Sequence, residues 1–197
     1  MGAGEVTSVA LREKRIALLG RSGADVIADA LSAAGATVQR LDGDEADHAQ
    51  WHSSAYAALV VTEGLSDAKE DRAVQLVREF LLADKPVAVH GGAVSLLLTS
   101  GGLAGRTVAI GAAMQEMLEP AGATAAREAM NDDDGILTAR ADVDVREFAQ
   151  WATRRIGDRL LDQRVDDMSD SSFPASDPPA TTSASPGRAS ADGESRA

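Results

Sequence analysis

The chain has 197 residues, 44% hydrophobic but only 3% aromatic, so its core must be built from Val, Leu, Ile and Ala rather than from rings. A formal net charge of −12 at pH 7 argues against nucleic acid and against an anionic membrane surface, both of which call for clustered Lys and Arg. No cysteine is present, which excludes disulfides, thiolate metal sites and cysteine catalysis together.

Residues 1–13 read as a polar arm without an apolar run long enough for a signal peptide or a membrane span, so the cytoplasm is the expected location. KRIALL (14–19) predicts a first strand, and a helix follows through ADVIADALSAAG with Gly35 as its stop. ATVQRLD (36–42) alternates as a second strand, residues 43–54 form a polar loop, and YAALVVT (56–62) reads as a buried strand closed by Glu63-Gly64. From Lys69 to Asp84 the residues Ala73, Val74, Val77, Phe80 and Leu81 mark one helical stripe. Then come a strand PVAVHGG (86–92), a helix AVSLLLTSGG (93–102), a strand RTVAIG (106–111) and a helix AAMQEMLEPAG (112–122). GILTAR (135–140) is the last strand, and VREFAQWATRRIGDRLL (145–161) closes the domain with Phe148, Ala152, Ile156 and Leu160 on one face.

Residues 14–164 therefore make one α/β domain, and residues 165–197 a tail that holds four of the six prolines. Its Ser, Ala, Asp and Thr cannot bury enough apolar surface to offset the entropy of ordering, so disorder is expected there. Strands alternating with helices imply right-handed crossovers and a doubly wound, mostly parallel sheet, a flavodoxin-like three-layer sandwich. Ligands of such sheets sit beyond the carboxyl ends of the strands, which points to the loops at 20–25, 62–66, 90–93 and 111–114.

Three groups of residues in those loops bear on chemistry. In KPVAVHGGAVSLL a strand runs straight into a helix through Gly91 and Gly92, a turn of the kind that lifts nucleophiles above a sheet. Here the tip carries no side chain, and the plainer reading is that the two glycines simply make a tight, strain-free turn. Glu63 and His90 end strands expected to be neighbours, which suggests an acid–base pair; the simpler reading is a structural hydrogen bond or a histidine turned into the core. In GRSGAD (20–25) the N–H groups around Gly20, Ser22 and Gly23, together with Arg21, suit a small anion, whereas the plainer reading is a helix cap by Ser22 or Asp25. His48 and His52 stand four apart in an acidic stretch but are two ligands short of a metal site. Asp132, Asp133 and Asp134 lack calcium-loop spacing and read as a polar loop. No metal and no cofactor are expected.

KPVA followed by a turn, a Leu pair and GLAGRTVA resembles the ThiJ/PfpI family, the class I glutamine amidotransferase-like fold that includes the Parkinsonism-associated deglycase. YAALVVTEG, DRAVQLVREFLLADKP and DDDGILTARADVDVREFAQWATRRI resemble further parts of it in the same order, over about residues 14–161. The resemblance implies that Gly91 stands where the family has its cysteine nucleophile and Gly92 where it has the following histidine. It likewise implies that Asp25 stands at the family's acidic residue. Glu63 falls on the first glycine of a pair that shapes the oxyanion pocket, and Gly64 on the second. The chain is also similar to the cysteine-free, flavodoxin-like domain at the C-terminus of large-subunit catalases, through Gly-Ala-Asp at 23–25.

These resemblances imply a catalytically degenerate protein acting as a binding or structural module, with a stress-related role among the expectations. Two other readings stay open: a hydrolase or lyase of small carbonyl compounds using His90 and Glu63, and a small-anion sensor. A small metabolite is the expected partner, with Arg21, Ser22, Gly23, Gly64, Gly91 and Gly92 around it. Closed dimers are the commonest soluble oligomers, so a homodimer is the expected assembly.

Overall fold

Alternation along the central strands explains why two sets of helices can be buried at once. Ala17, Leu19, Leu59, Val61, Val87 and Val89 face one side of the sheet, while Ile16, Leu18, Ala58, Val60 and Ala88 face the other. The structure, a computed structural model, describes residues 10–41 and 51–171.

The main sheet contains β1 (Arg15–Leu19), β2 (Thr37–Arg40), β3 (Ala58–Val61), β4 (Val87–His90), β7 (Met130–Asp133) and β8 (Ile136–Ala139), in the order β2-β1-β3-β4-β8-β7. All neighbours run parallel except β7, which returns antiparallel along β8. The helices are α1 (Ala24–Ala33), α2 (Asp67–Leu82), α3 (Val94–Ser100), α4 (Leu118–Ala121) and α5 (Val145–Ser171). Helices α2 and α3 cover one face through Ala73, Leu76, Val77, Phe80, Val94 and Leu97. Helices α1 and α5 cover the other through Ile27, Leu31, Phe148, Ala152 and Ile156. This is the doubly wound three-layer sandwich that the strand and helix pattern predicts. Among the described residues, no helix is long and apolar enough to cross a membrane.

Helix α1 ends before a left-handed Gly35 (φ 95°), as its sequence signals. Three expectations need correction. RTVAIG does not join the main sheet: only β5 (Thr107–Val108) is extended, and it pairs with β6 (Thr124–Ala125) in a separate two-stranded sheet. The outer side of β8 is already taken by β7, so the segment docks through side chains. Thr138 Oγ1 accepts the Ala109 N–H (2.8 Å), an Asp133 carboxylate oxygen accepts the Thr107 N–H (2.5 Å), and Asn131 Nδ2 donates to the Thr107 carbonyl (2.7 Å).

The helix expected over 112–122 is instead a 3-10 stretch, Ala112–Met117, followed by the short α4. Pro120 lacks an N–H and its ring opposes the carbonyl four residues back, so a continuous α-helix cannot pass through it. Finally, α5 runs on to Ser171, past the Val165 boundary set by composition. Low apolar content limits burial but not the propagation of a helix already nucleated, which adds one hydrogen bond per residue. Gln163 Nε2, just before that boundary, donates to the Asp84 carbonyl (2.6 Å) and holds the helix from which the extension propagates. Residues 172–197 of the expected tail and residues 1–9 of the expected arm lie outside the described residues.

Candidate functional site

At the end of β4 the chain turns through a single 3-10 turn, Gly91–Ala93, directly into α3. Gly91 has φ +67°, a left-handed conformation strained for any residue with a Cβ. A second reason for glycine stands in front of it. The Glu63 side chain lies across the turn, where its Oε1 accepts the Gly92 N–H at 2.5 Å. A Cβ built on Gly91 would stand 2.5 Å from that oxygen, and one built on Gly92 would stand 2.9 Å from it.

The main chain of Glu63 is held as closely as its side chain. Its carbonyl accepts the N–H groups of both Arg21 (2.8 Å) and Ser22 (2.9 Å). Gly20 makes this approach possible, because at φ +94° any Cβ there would run into the Thr62 carbonyl. Two donors of the expected anion cradle are thus used within the fold. Nor does either predicted cap form: the N-cap of α1 is Gly23 in a left-handed conformation (φ 66°), with no side-chain cap bond. Asp25 instead pairs with Arg40 at 2.7 Å and is 91% exposed. Gly64 is left-handed as well (φ +88°) and lies against the Arg21 side chain.

Glu63 and His90 are not brought together, and strand parity says why. Strands β3 and β4 pair with Val61 opposite Val89, so Thr62 is level with His90 and Glu63 with Gly91. Side chains alternate between faces, and a one-residue offset places Glu63 on the α2/α3 side and His90 on the α1/α5 side. His90 Nε2 donates to the Val143 carbonyl (2.9 Å), and its ring lies 5.0 Å from that of Phe148. It is half-buried against α5, a histidine turned toward the core.

Between these loops and α2 and α3 lies a cleft of about 200 Å³ that includes Glu63, Asp67, Glu70, Gly92, Ser95 and Leu96. Three carboxylates line it with no Lys or Arg, which opposes a small anion. Among the described residues no cluster of His, Asp or Glu is suited to hold a metal ion. His52 is exposed before a short 3-10 turn, and His48 lies outside the described residues.

The Asp132–Asp134 run is not a plain polar loop. Asp132 and Asp133 belong to β7, and Asp134 (φ 53°) with Gly135 (φ 84°) forms the two-residue turn into β8. Asp133 bonds Arg106 (3.1 Å), and Asp134 bonds Arg159 (2.8 Å) and Arg106 (3.4 Å). The hydrogen bond to Asp133, with further help from Asp134 and against some burial, raises the Arg106 pKa. An Asp-Gly pair directly before the apolar run at Ile136 and Leu137 was a half-signal for this hairpin, with no apolar strand on its other side.

Solved structures share this architecture. The two-domain protein of Anabaena variabilis, with DJ-1/ThiJ/PfpI-like and ferritin-like domains, has a TM-score of 0.62 at 22% identity, over 73% of this chain and 50% of that one. This chain thus spans only half the length of that relative. The ThiJ/PfpI domain protein of Brachyspira murdochii also has a TM-score of 0.62, at 16% identity, over 77% of this chain and 98% of that one. Drosophila melanogaster DJ-1beta has 0.60 at 19% identity, over 80% and 98%. At these identities the likeness concerns the fold. No curated protein matches the chain in sequence. The family model of DJ-1/PfpI does match, over residues 4–154, and that span takes in the sheet, the glycine turn and most of the helices around it. The chain belongs to the DJ-1/PfpI family.

Proposed function

We propose that this protein is a catalytically silent DJ-1/PfpI member that works as a binding or structural module. The observation that carries the reading is the composition of the turn after β4. Its tip is Gly91, which offers no nucleophile, and the adjacent imidazole of His90 is directed to the Val143 carbonyl on the other face of the sheet. General base catalysis needs the base within hydrogen-bond reach of the proton it takes, and the Glu63–His90 arrangement does not supply a joint site. The occurrence of this fold joined to a ferritin-like domain in the Anabaena variabilis protein supports the modular reading.

The test is turnover by the purified full-length chain on small dicarbonyl, amide and peptide substrates. The expected result is no rate above buffer. Turnover that is abolished by Gly91→Val or His90→Ala, in variants that retain the native circular dichroism spectrum, overturns the proposal. Light scattering on the same preparation reads the assembly, for which a homodimer is the proposed state.

A further inference from the structure

We infer that Glu63 is a latch on the glycine turn: its carboxylate occupies the space that a side chain at 91 or 92 would need. The latch has a closed state, bonded to the Gly92 N–H, and an open state swung into solvent. The inference rests on reading this turn as catalytically silent and adds what takes the place of the missing side chain. Three observations converge on it. The main chain of Glu63 is fixed, because its carbonyl accepts the Arg21 and Ser22 N–H groups. Its side chain, by contrast, is exposed and is anchored at the Gly92 N–H. Both glycines lack a Cβ in the direction of that carboxylate, Oε1 being 2.5 Å and 2.9 Å from the positions their Cβ atoms would take. A fixed root and an exposed tip describe a side chain that rotates about its own torsions while the loop stays still. In the closed state the same carboxylate is one wall of the acidic cleft, so the latch sets the width of that cleft at its Gly92 side.

The proposal predicts that Glu63 and the glycine pair are coupled. Gly92 is the better probe, because Gly91 carries backbone strain of its own at φ +67° and Gly92 has no positive φ. With Glu63 present, Gly92→Ala pushes the carboxylate off its donor and lowers Tm by about 3 °C. In the Glu63→Ala background the same change finds no carboxylate to displace, and the loss shrinks to within error. Equal losses in both backgrounds overturn the latch. A second readout is independent of Tm. The Gly92 amide hydrogen exchanges ~5-fold faster in Glu63→Ala than in the unsubstituted chain, because the closed state protects it with the Glu63 carboxylate. Equal exchange rates overturn the latch as well, and if Gly92→Ala fails to fold, the exchange measurement decides alone. Neither outcome touches the turnover assay: detected turnover removes the catalytically silent reading, whereas uncoupled glycines remove only the latch.

Discussion

The two ends of the β4–β8 region are held by opposite means. At the carboxyl end, around Glu63, chain meets chain: the Glu63 carbonyl takes two N–H groups, and glycines at 20, 23, 64 and 91 adopt positive φ. At the other end, around the β7–β8 hairpin, side chains provide the contacts. Asp132, Asp133 and Asp134 engage Arg155, Arg106 and Arg159, and Asp133 also accepts the Thr107 N–H. The difference teaches that the glycines at 20, 23, 91 and 92 mark places where atoms are closest, unlike those at 101, 105 and 111, which face open space. A cluster of charges, by contrast, distributes its holding over several exchangeable contacts.

The sharpest way to break the comparison is a methyl group at the carboxyl end. Gly20→Ala puts a Cβ into the Thr62 carbonyl at φ +94°, and neither backbone can yield without giving up the Glu63 contacts next to it. A loss of about 3 kcal/mol or more in urea unfolding is expected. A loss under ~1 kcal/mol would mean that the loops at 20–23 and 62–64 are not held backbone to backbone.

The hairpin end should respond in graded steps. Asp133→Ala removes the acceptor for the Thr107 N–H and the main partner of Arg106, for an expected loss of about 2 kcal/mol. Asp133→Asn retains one oxygen acceptor for the amide and should lose roughly half as much. The arginine contributes no pH dependence of its own in the working range. Its folded pKa is raised, so its stabilisation is complete below the unfolded arginine value and is lost only as pH rises above it. Equal losses for Ala and Asn would show that the charge, and not the amide contact, fastens β5 to β7.

How much of this was legible in the sequence follows from the same contrast. Strands such as YAALVVT and helices such as the one carrying Ala73, Val77 and Phe80 could be read because burial imposes a period on them. The separation of Glu63 from His90 was also encoded, in strand parity once Val61 is placed opposite Val89, but register is not visible before pairing is known. The β7–β8 hairpin was hidden because Met130–Asp133 lacks β-forming apolar residues and depends on Arg106, Arg155 and Arg159 from distant segments. What no pattern in the chain announces is that Glu63 lies over Gly91 and Gly92, since a close approach across two loops leaves only the glycines as its trace.

The smallest expected effect belongs to Asp25, the acidic residue that the family resemblance places near the missing nucleophile. It sits in the first turn of α1, where a carboxylate interacts favourably with the helix dipole, and it pairs with Arg40 from the end of β2. Both contributions are made at a side chain 91% exposed, so solvent screens them and the ion pair by itself adds little. Asp25→Ala should therefore cost ~0.5 kcal/mol, mostly at low ionic strength, with the difference from wild type vanishing in high salt. A salt-insensitive loss of about 2 kcal/mol would instead mean that Asp25 turns inward to support the glycine loops. The carboxyl end would then be held by charge as well as by backbone.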